Sequence, residues 1–234
     1  MSEEGWDYPA TVERTREGER KVKNKGYKSN RDIPRPSRTG CVVAVAASAG
    51  GIRALKEIFT ALPESFPAAI VVVQHLAPHQ RSLLAEILSR HTTLKVKQAE
   101  GGEKLKAGTA YIAPPDRHLL VNSDATLSLT QTELVHFVRP SADLLFESVA
   151  ASYREGAIAV VLTGTGSDGS MGVQAIKKMG GTVIVQDEKS SEFFGMPDAA
   201  IKTGDVDFVL PLSEIPSTLV SLVMGAEKPY ERTQ

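Results

Sequence analysis

A single cysteine, Cys41, is the whole thiol content of the 234 residues, so no intramolecular disulfide can form. It opens the apolar run Cys41-Val42-Val43-Ala44-Val45-Ala46. A thiol there packs as a small hydrophobe, and no base stands nearby in the sequence to make it a nucleophile. Charge of either sign is not in excess: 27 Lys and Arg face 28 Asp and Glu, a net charge of -1. That balance gives nucleic acid or a membrane surface no electrostatic hold as the main partner. No apolar stretch approaches the length of a membrane span. The start, Met1-Ser2-Glu3-Glu4-Gly5-Trp6, lacks the basic-then-apolar order of a secretory signal. These absences predict a cytoplasmic protein with no membrane insertion. Ligand-like histidine spacing is missing too. His75 and His79 are four apart, but Pro78 disfavours the helix that would unite them, and His91, His118 and His136 are scattered; no metal site is expected.

With 41% hydrophobic residues, the chain can bury one sizeable core beside a short appendage. The appendage is residues 1–39. It is charged, poor in aliphatics, and ends in Ile33-Pro34-Arg35-Pro36-Ser37, so its apolar content cannot offset the entropy of ordering it. The cluster Arg20-Lys21-Val22-Lys23-Asn24-Lys25 is diluted by Glu13, Glu17 and Glu19, which favours a solvated tail over a docking arm. Residues 40–228 form the expected domain, and 229–234 a disordered end.

From Gly40 onward, short β-branched runs alternate with segments of helical period. Strands are predicted over Val42–Ala46, Ala69–Val73, Lys95–Gln98, Thr109–Ala113, Ala157–Leu162, Thr182–Gln186 and Asp207–Leu210; several are apolar throughout, as strands covered on both faces must be. Helical stripes run through Ile52, Leu55, Ile58, Phe59 and Leu62, and through Leu83, Leu84, Ile87 and Leu88. Ser141 and Ser213 are placed to cap later helices. A hairpin pairs His118–Val121 with Thr126–Leu129 around Asn122-Ser123-Asp124. The expected fold is α/β, a doubly wound, mainly parallel sheet with an antiparallel hairpin and helices on both faces. Ligands of such folds sit beyond the carboxyl ends of the strands.

Three of those ends carry chemistry. The first strand runs into Ser48-Ala49-Gly50-Gly51, small residues that let the chain bend sharply into a helix and expose a hydroxyl. The alternative there is a tight turn with Ser48 as N-cap. The second strand ends in Gln74-His75. The late strand ends in Thr163-Gly164-Thr165-Gly166-Ser167-Asp168-Gly169. Gly164-x-Gly166-x-x-Gly169 also fits a dinucleotide fingerprint, with Asp187 placed for a ribose. Asp168 argues against it, since a carboxylate in that turn repels the pyrophosphate that a helix start should attract. A hydroxyl, an imidazole and a carboxylate at one sheet edge suit nucleophilic catalysis instead. Ser48 needs a base to take its proton, His75 can take and return it, and Asp168 would orient the imidazole and stabilise its cation. The order Ser, His, Asp is not that of α/β-hydrolases.

Several separated segments together resemble the catalytic domain of chemotaxis protein-glutamate methylesterases of the CheB type. They are Ala47-Ser48-x-Gly50-Gly51, Gln74-His75, Tyr111-Ile112-Ala113-Pro114, Arg139-Pro140-Ser141-x-Asp143, Leu162-Thr163-Gly164-x-Gly166-x-Asp168-Gly169 and Phe194-Gly195-Met196-Pro197, spread between about Val42 and Val223. The resemblance implies hydrolysis of glutamate γ-methyl esters, and deamidation of glutamines, on the helical bundle of methyl-accepting receptors, with no cofactor. It implies Ser48 as nucleophile, His75 as base and acid, Asp168 as orienting carboxylate, and the backbone amides of His75 and Thr165 as oxyanion hole. Ala49, Gly50, Gly51, Gly164, Gly166, Arg139 and Met196 would form the rim of the site. The family usually has Thr where Ala49 stands and Met where Thr165 stands. Its members usually carry a receiver domain first, for which the residues before Gly40 are too few. A non-catalytic binding module that keeps the fold is the alternative.

Overall fold

The computed structural model describes residues 40–75, 82–135 and 138–225. The segment 1–39, the chain end from 226, His79 and His136 lie outside the described residues, and with them the expectations of a tail and of a disordered end.

Seven parallel strands form one sheet in the order β3-β4-β2-β1-β7-β8-β9, where β1 is Val42–Ala47, β2 Ala69–Gln74, β3 Lys95–Gln98, β4 Thr109–Ile112, β7 Ala157–Val161, β8 Thr182–Gln186 and β9 Phe208–Leu210. The hairpin is β5 (His118–Val121) with β6 (Leu127–Thr130), paired antiparallel. The central strands are buried from end to end, which is why they read as apolar runs broken only at their ends, by Gln74, Thr182 and Gln186. Side chains alternate along them between two cores. Val43, Val45 and Ala47 join the core covered by α1 (Gly51–Ala61), α2 (Leu84–Ser89) and α6 (Ile215–Met224). Val42, Ala44 and Ala46 join the other, covered by α3 (Ala142–Tyr153), α4 (Ser170–Lys178), α5 (Gly195–Lys202) and the hairpin. The sheet is therefore doubly wound. The chain leaves β1 toward β2 on one side and later enters β7 on the other, so the crevice where the strand order reverses lies between the carboxyl ends of β1 and β7.

Some local expectations fail for identifiable reasons. Ile52 and Leu83 belong to the predicted stripes but are exposed. Ile52 opens α1 on the side of a cleft, and Leu83 precedes the first residue of α2. Ser213 caps nothing, because Leu212–Glu214 forms a 3-10 turn that hands the chain to α6 through Glu214, with Pro216 in the first turn. Thr126 closes the hairpin turn rather than opening β6, its amide bonded to Asp124 Oδ1 at 3.0 Å. Cys41 is buried, and burial pushes its thiol above the ordinary value, as the packing reading requires. Among the described residues, no helix is long and apolar enough to cross a membrane.

α3 and α4 pack so closely that a β-carbon on Gly172 would stand 2.5 Å from Phe146 Cβ and 3.1 Å from the Asp143 backbone. Gly172→Ala is therefore expected to cost about 1–3 kcal/mol, as overpacking of a tight core does. Urea denaturation measures it. An unchanged midpoint would mean that the two helices do not meet at this point.

Candidate active site

The crevice is built from three strand ends. β1 stops at Ala47, and Ser48 is held in the bend by its own amide on the Thr163 carbonyl at 3.0 Å and by its carbonyl accepting from Gly51 N at 2.9 Å. Gly50, at φ 76°, is the N-cap of α1; Ser48 lies ahead of the cap, so the capping alternative for Ser48 does not hold. A side chain at Gly51 would collide with Gln74 Oε1 and come within 2.7 Å of Ala47 Cβ, so the bend admits only glycine there. From β2, the Gln74 amide group reaches across and donates to two carbonyls at once, Ser48 at 2.8 Å and His75 at 3.1 Å. Ser48, Ala49, Gly50, Gly51, Gln74 and His75 thereby line one open cleft of about 450 Å³.

β7 delivers the acid. His75 Nε2 and Asp168 Oδ2 are 2.8 Å apart, the imidazole 12% exposed and the carboxylate 4%. Asp168 lies across the start of α3. Its Oδ2 also accepts from Ala142 N at 2.6 Å, and its Oδ1 from the Ser141 hydroxyl at 2.8 Å and Asp143 N at 3.1 Å. Burial alone would push this carboxyl up. The hydrogen bonds from His75 and from the Ala142 and Asp143 amides outweigh it and hold the group below the ordinary carboxylate range. The helix start adds its partial positive charge in the same direction. An ionised Asp168 fixes the imidazole with its proton on Nε2, which leaves Nδ1 as the nitrogen able to accept one. Behind the carboxylate, His118 is fully buried. Its Nδ1 accepts from Ser141 N at 3.1 Å and its Nε2 donates to the Glu133 carbonyl at 3.0 Å, so the hairpin braces the α3 start.

Among the described residues, Ser48 and His75 are not joined by a hydrogen bond, although both line the cleft. A change of side-chain conformation must bring the two within hydrogen-bond reach before any proton passes between them.

Several expected site residues sit differently from the sequence reading. The His75 amide is spent on the Ala47 carbonyl at 3.0 Å, continuing the β1–β2 ladder, so in this state it is no oxyanion donor. Thr165 and Gly166 are exposed in the turn after β7, and the Thr165 amide has no hydrogen-bond acceptor among the described residues. Gly164 is buried, and a β-carbon there would collide with Met196 Sδ and stand 2.8 Å from Ser48 Cβ. Met196 is therefore packed beneath the site, 1% exposed, and not on its rim. Arg139 is not brought into the cleft. Its guanidinium is spent on Asp116 Oδ1, at 2.6 and 2.9 Å, and on the Thr132 carbonyl at 2.6 Å, pinning the loop before α3. The residues to which the sequence assigned no part in the site are the supports: Gln74, His118 and Asp143, and Ser141 beyond its expected place as a helix cap, which it fills on Leu144 N.

The dinucleotide alternative meets a direct obstacle. The amides of Gly169 and Gly172 at the α4 start, where a pyrophosphate would rest, already donate to Asp143 Oδ1 at 2.9 and 2.8 Å. Among the described residues, no three His, Cys, Asp or Glu side chains come together as a metal would need.

Comparison with known proteins agrees with this geometry. A family model described as CheB methylesterase matches residues 43–219. The "protein-glutamate methylesterase/protein-glutamine glutaminase" of Thermotoga maritima is 42% identical over 194 residues, covering 82% of this chain and 56% of that protein. The protein of that name in Pyrococcus horikoshii is 44% identical over 184 residues, covering 77% and 50%. The chain thus spans about half the length of these two relatives. A putative protein of the same designation in Leptospira interrogans is 41% identical over 180 residues and is covered over 93% of its length. Among solved structures, the catalytic domain of the Thermotoga maritima CheB methylesterase superposes with a TM-score of 0.77 at 41% identity, covering 79% of this chain and 100% of that one.

Proposed function

The chain belongs to the CheB methylesterase family, and from that premise we propose that it hydrolyses glutamate γ-methyl esters on a protein substrate, releasing methanol. The substrate class is the helical bundle of methyl-accepting receptors, and the reaction takes place in the cytoplasm. The observation that carries this reading is the 2.8 Å pair between His75 Nε2 and a depressed, buried Asp168 at a cleft shared with Ser48.

In the proposed mechanism, the Ser48 hydroxyl turns toward His75 Nδ1 and gives up its proton as its oxygen attacks the ester carbon. The imidazolium that forms is stabilised by Asp168 on the opposite nitrogen. The ring is thus used the other way round from the serine-protease arrangement, in which Nδ1 faces the acid and Nε2 the serine. The amide of Thr165 and the start of α1, just beyond Ser48, face the negative charge that develops on the carbonyl oxygen; a fixed donor of this kind is typically worth a few kcal/mol. Nδ1 returns the proton to the departing methoxide, leaving a glutamyl ester of Ser48. Water, deprotonated by the same nitrogen, then releases the free glutamate and restores Ser48. With a glutamine side chain the leaving group is ammonia and the steps are otherwise the same.

Methanol release from methylated receptors of the same organism tests the substrate class. A serine-directed phosphonate tests the chemistry separately, and it is expected to add one equivalent to Ser48, seen by intact mass. A chain that stays unlabelled and releases no methanol is a binding module that has kept the fold, and the hydrolase reading falls.

A further inference from the structure

α3 and α4 begin side by side, and each helix start is held by an acid from the other's segment. Asp168 is the residue ahead of Gly169, the N-cap of α4, yet its carboxylate rests on the amides of Ala142 and Asp143 in α3. Asp143, in the first turn of α3, makes the return contact, its Oδ1 accepting from Gly169 N at 2.9 Å and Gly172 N at 2.8 Å. Both acids are buried, at 2% and 4% exposure. Helix starts have orphan amides and a partial positive charge, so each carboxylate neutralises the end that faces it. The N-cap of α4 is a glycine with no side-chain oxygen to offer, so its opening amides depend on Asp143.

This exchange has a consequence for the triad. The Gly169 amide is the peptide partner of the Asp168 carbonyl, so whatever fixes that amide fixes the backbone from which the Asp168 carboxylate is aimed. We propose that Asp143 is a positioning residue: by holding the Gly169 and Gly172 amides it sets the place of Asp168, and through the 2.8 Å bond to Nε2 the plane of the His75 ring. Asp143 is not among the residues lining the cleft, so its action on the reaction is indirect.

The test has two arms. By proton NMR of the intact chain, the Nε2 proton of His75 bonded to Asp168 is expected as a downfield resonance. In Asp143→Ala it is expected to disappear or move, and in Asp143→Asn, which keeps an oxygen acceptor for both amides, to remain. The kinetic arm rests on the proposed hydrolysis. Asp143→Ala is expected to lower kcat for methyl-ester cleavage roughly 10- to 100-fold with KM little changed, the scale of a misplacement near 1 Å, and Asp143→Asn to recover most of it. Asp207→Ala serves as the control for lost stability alone, since it removes the acceptor of Lys177 Nζ and Val183 N, both at 2.8–2.9 Å and unconnected with the triad; it is expected to keep resonance and kcat. Should Asp143→Ala fail to fold, Asp143→Ser carries the test, because its shorter side chain reaches at most one of the two amides and both readouts should still move. A folded Asp143→Ala or Asp143→Ser with wild-type resonance and kcat overturns the proposal. A wild type with no turnover but an Asp143-dependent resonance removes the hydrolase reading and leaves the positioning role standing.

Discussion

Ser48→Ala is expected to lower kcat for methyl-ester hydrolysis by roughly four to six orders of magnitude, with the fold unchanged. The size follows from what the hydroxyl does in the proposed reaction. It is the atom that bonds to the substrate, and without it the remaining groups can only orient water, which leaves the residual acceleration of binding and oxyanion stabilisation. The fold should not notice, because Ser48 is held through its backbone: its amide on Thr163, its carbonyl on Gly51 N and Gln74 Nε2. Among the described residues its hydroxyl holds nothing together. Thermal midpoint and circular dichroism should match the wild type while methanol release collapses and the phosphonate adduct vanishes. A variant that keeps even one-tenth of the activity would mean that the nucleophile lies elsewhere.

The strands of this domain were legible because their physics leaves little choice. A strand covered on both faces must be apolar along its middle, and β1, β2, β7 and β8 are bounded in the sequence by Gly, Pro or polar residues almost where the ladder stops. Knowing that α/β sheets present their carboxyl ends to ligands then singled out Ser48, His75 and Asp168, and the fold does bring these three strand ends to one crevice. Side-chain direction was not legible. Ile52 shares the period of the α1 stripe yet faces the cleft, and Met196 stands in a motif yet lies beneath Gly164. Nothing in local sequence separates a rim position from a floor position. The supports were hidden for another reason: they act across long stretches of chain. Arg139 meets Asp116, Asp143 meets Gly169 and Gly172, and His118 meets the Ser141 amide, pairs that only the packed hairpin and the α3–α4 contact bring together. The Ser-x-Asp spacing at Ser141 and Asp143 carried a signal, since two capping-type residues at one helix start exceed what that start needs for itself.

Asp168→Asn should separate geometry from charge. Asparagine can fill the same seat and offer its oxygen to the Ser141 hydroxyl and the Asp143 amide, but its amide nitrogen, in the place of Oδ2, can only donate toward His75 Nε2 and leaves the Ala142 amide without that acceptor. The imidazole must then place its proton on Nδ1, the nitrogen proposed to act on Ser48, where it can no longer take one. In serine proteases the equivalent exchange costs about 10⁴ in kcat, and a loss of that order is expected here. The same variant reports on stability. The Asp168 carboxyl is held below the ordinary carboxylate value in the folded chain, so ionised Asp168 contributes stability that is complete above the ordinary value and fades as pH falls through the lower folded one. Asparagine has no proton to bind. Urea midpoints of wild type and variant, followed from pH 6 downward, should therefore differ by a constant amount until about pH 5, after which the wild type loses its relative advantage. A gap that instead grows in favour of the wild type as pH falls toward the ordinary carboxylate value would mean that burial outweighs the four donors and that the folded chain protonates Asp168 more readily than a free carboxyl, against its place as the anion behind His75.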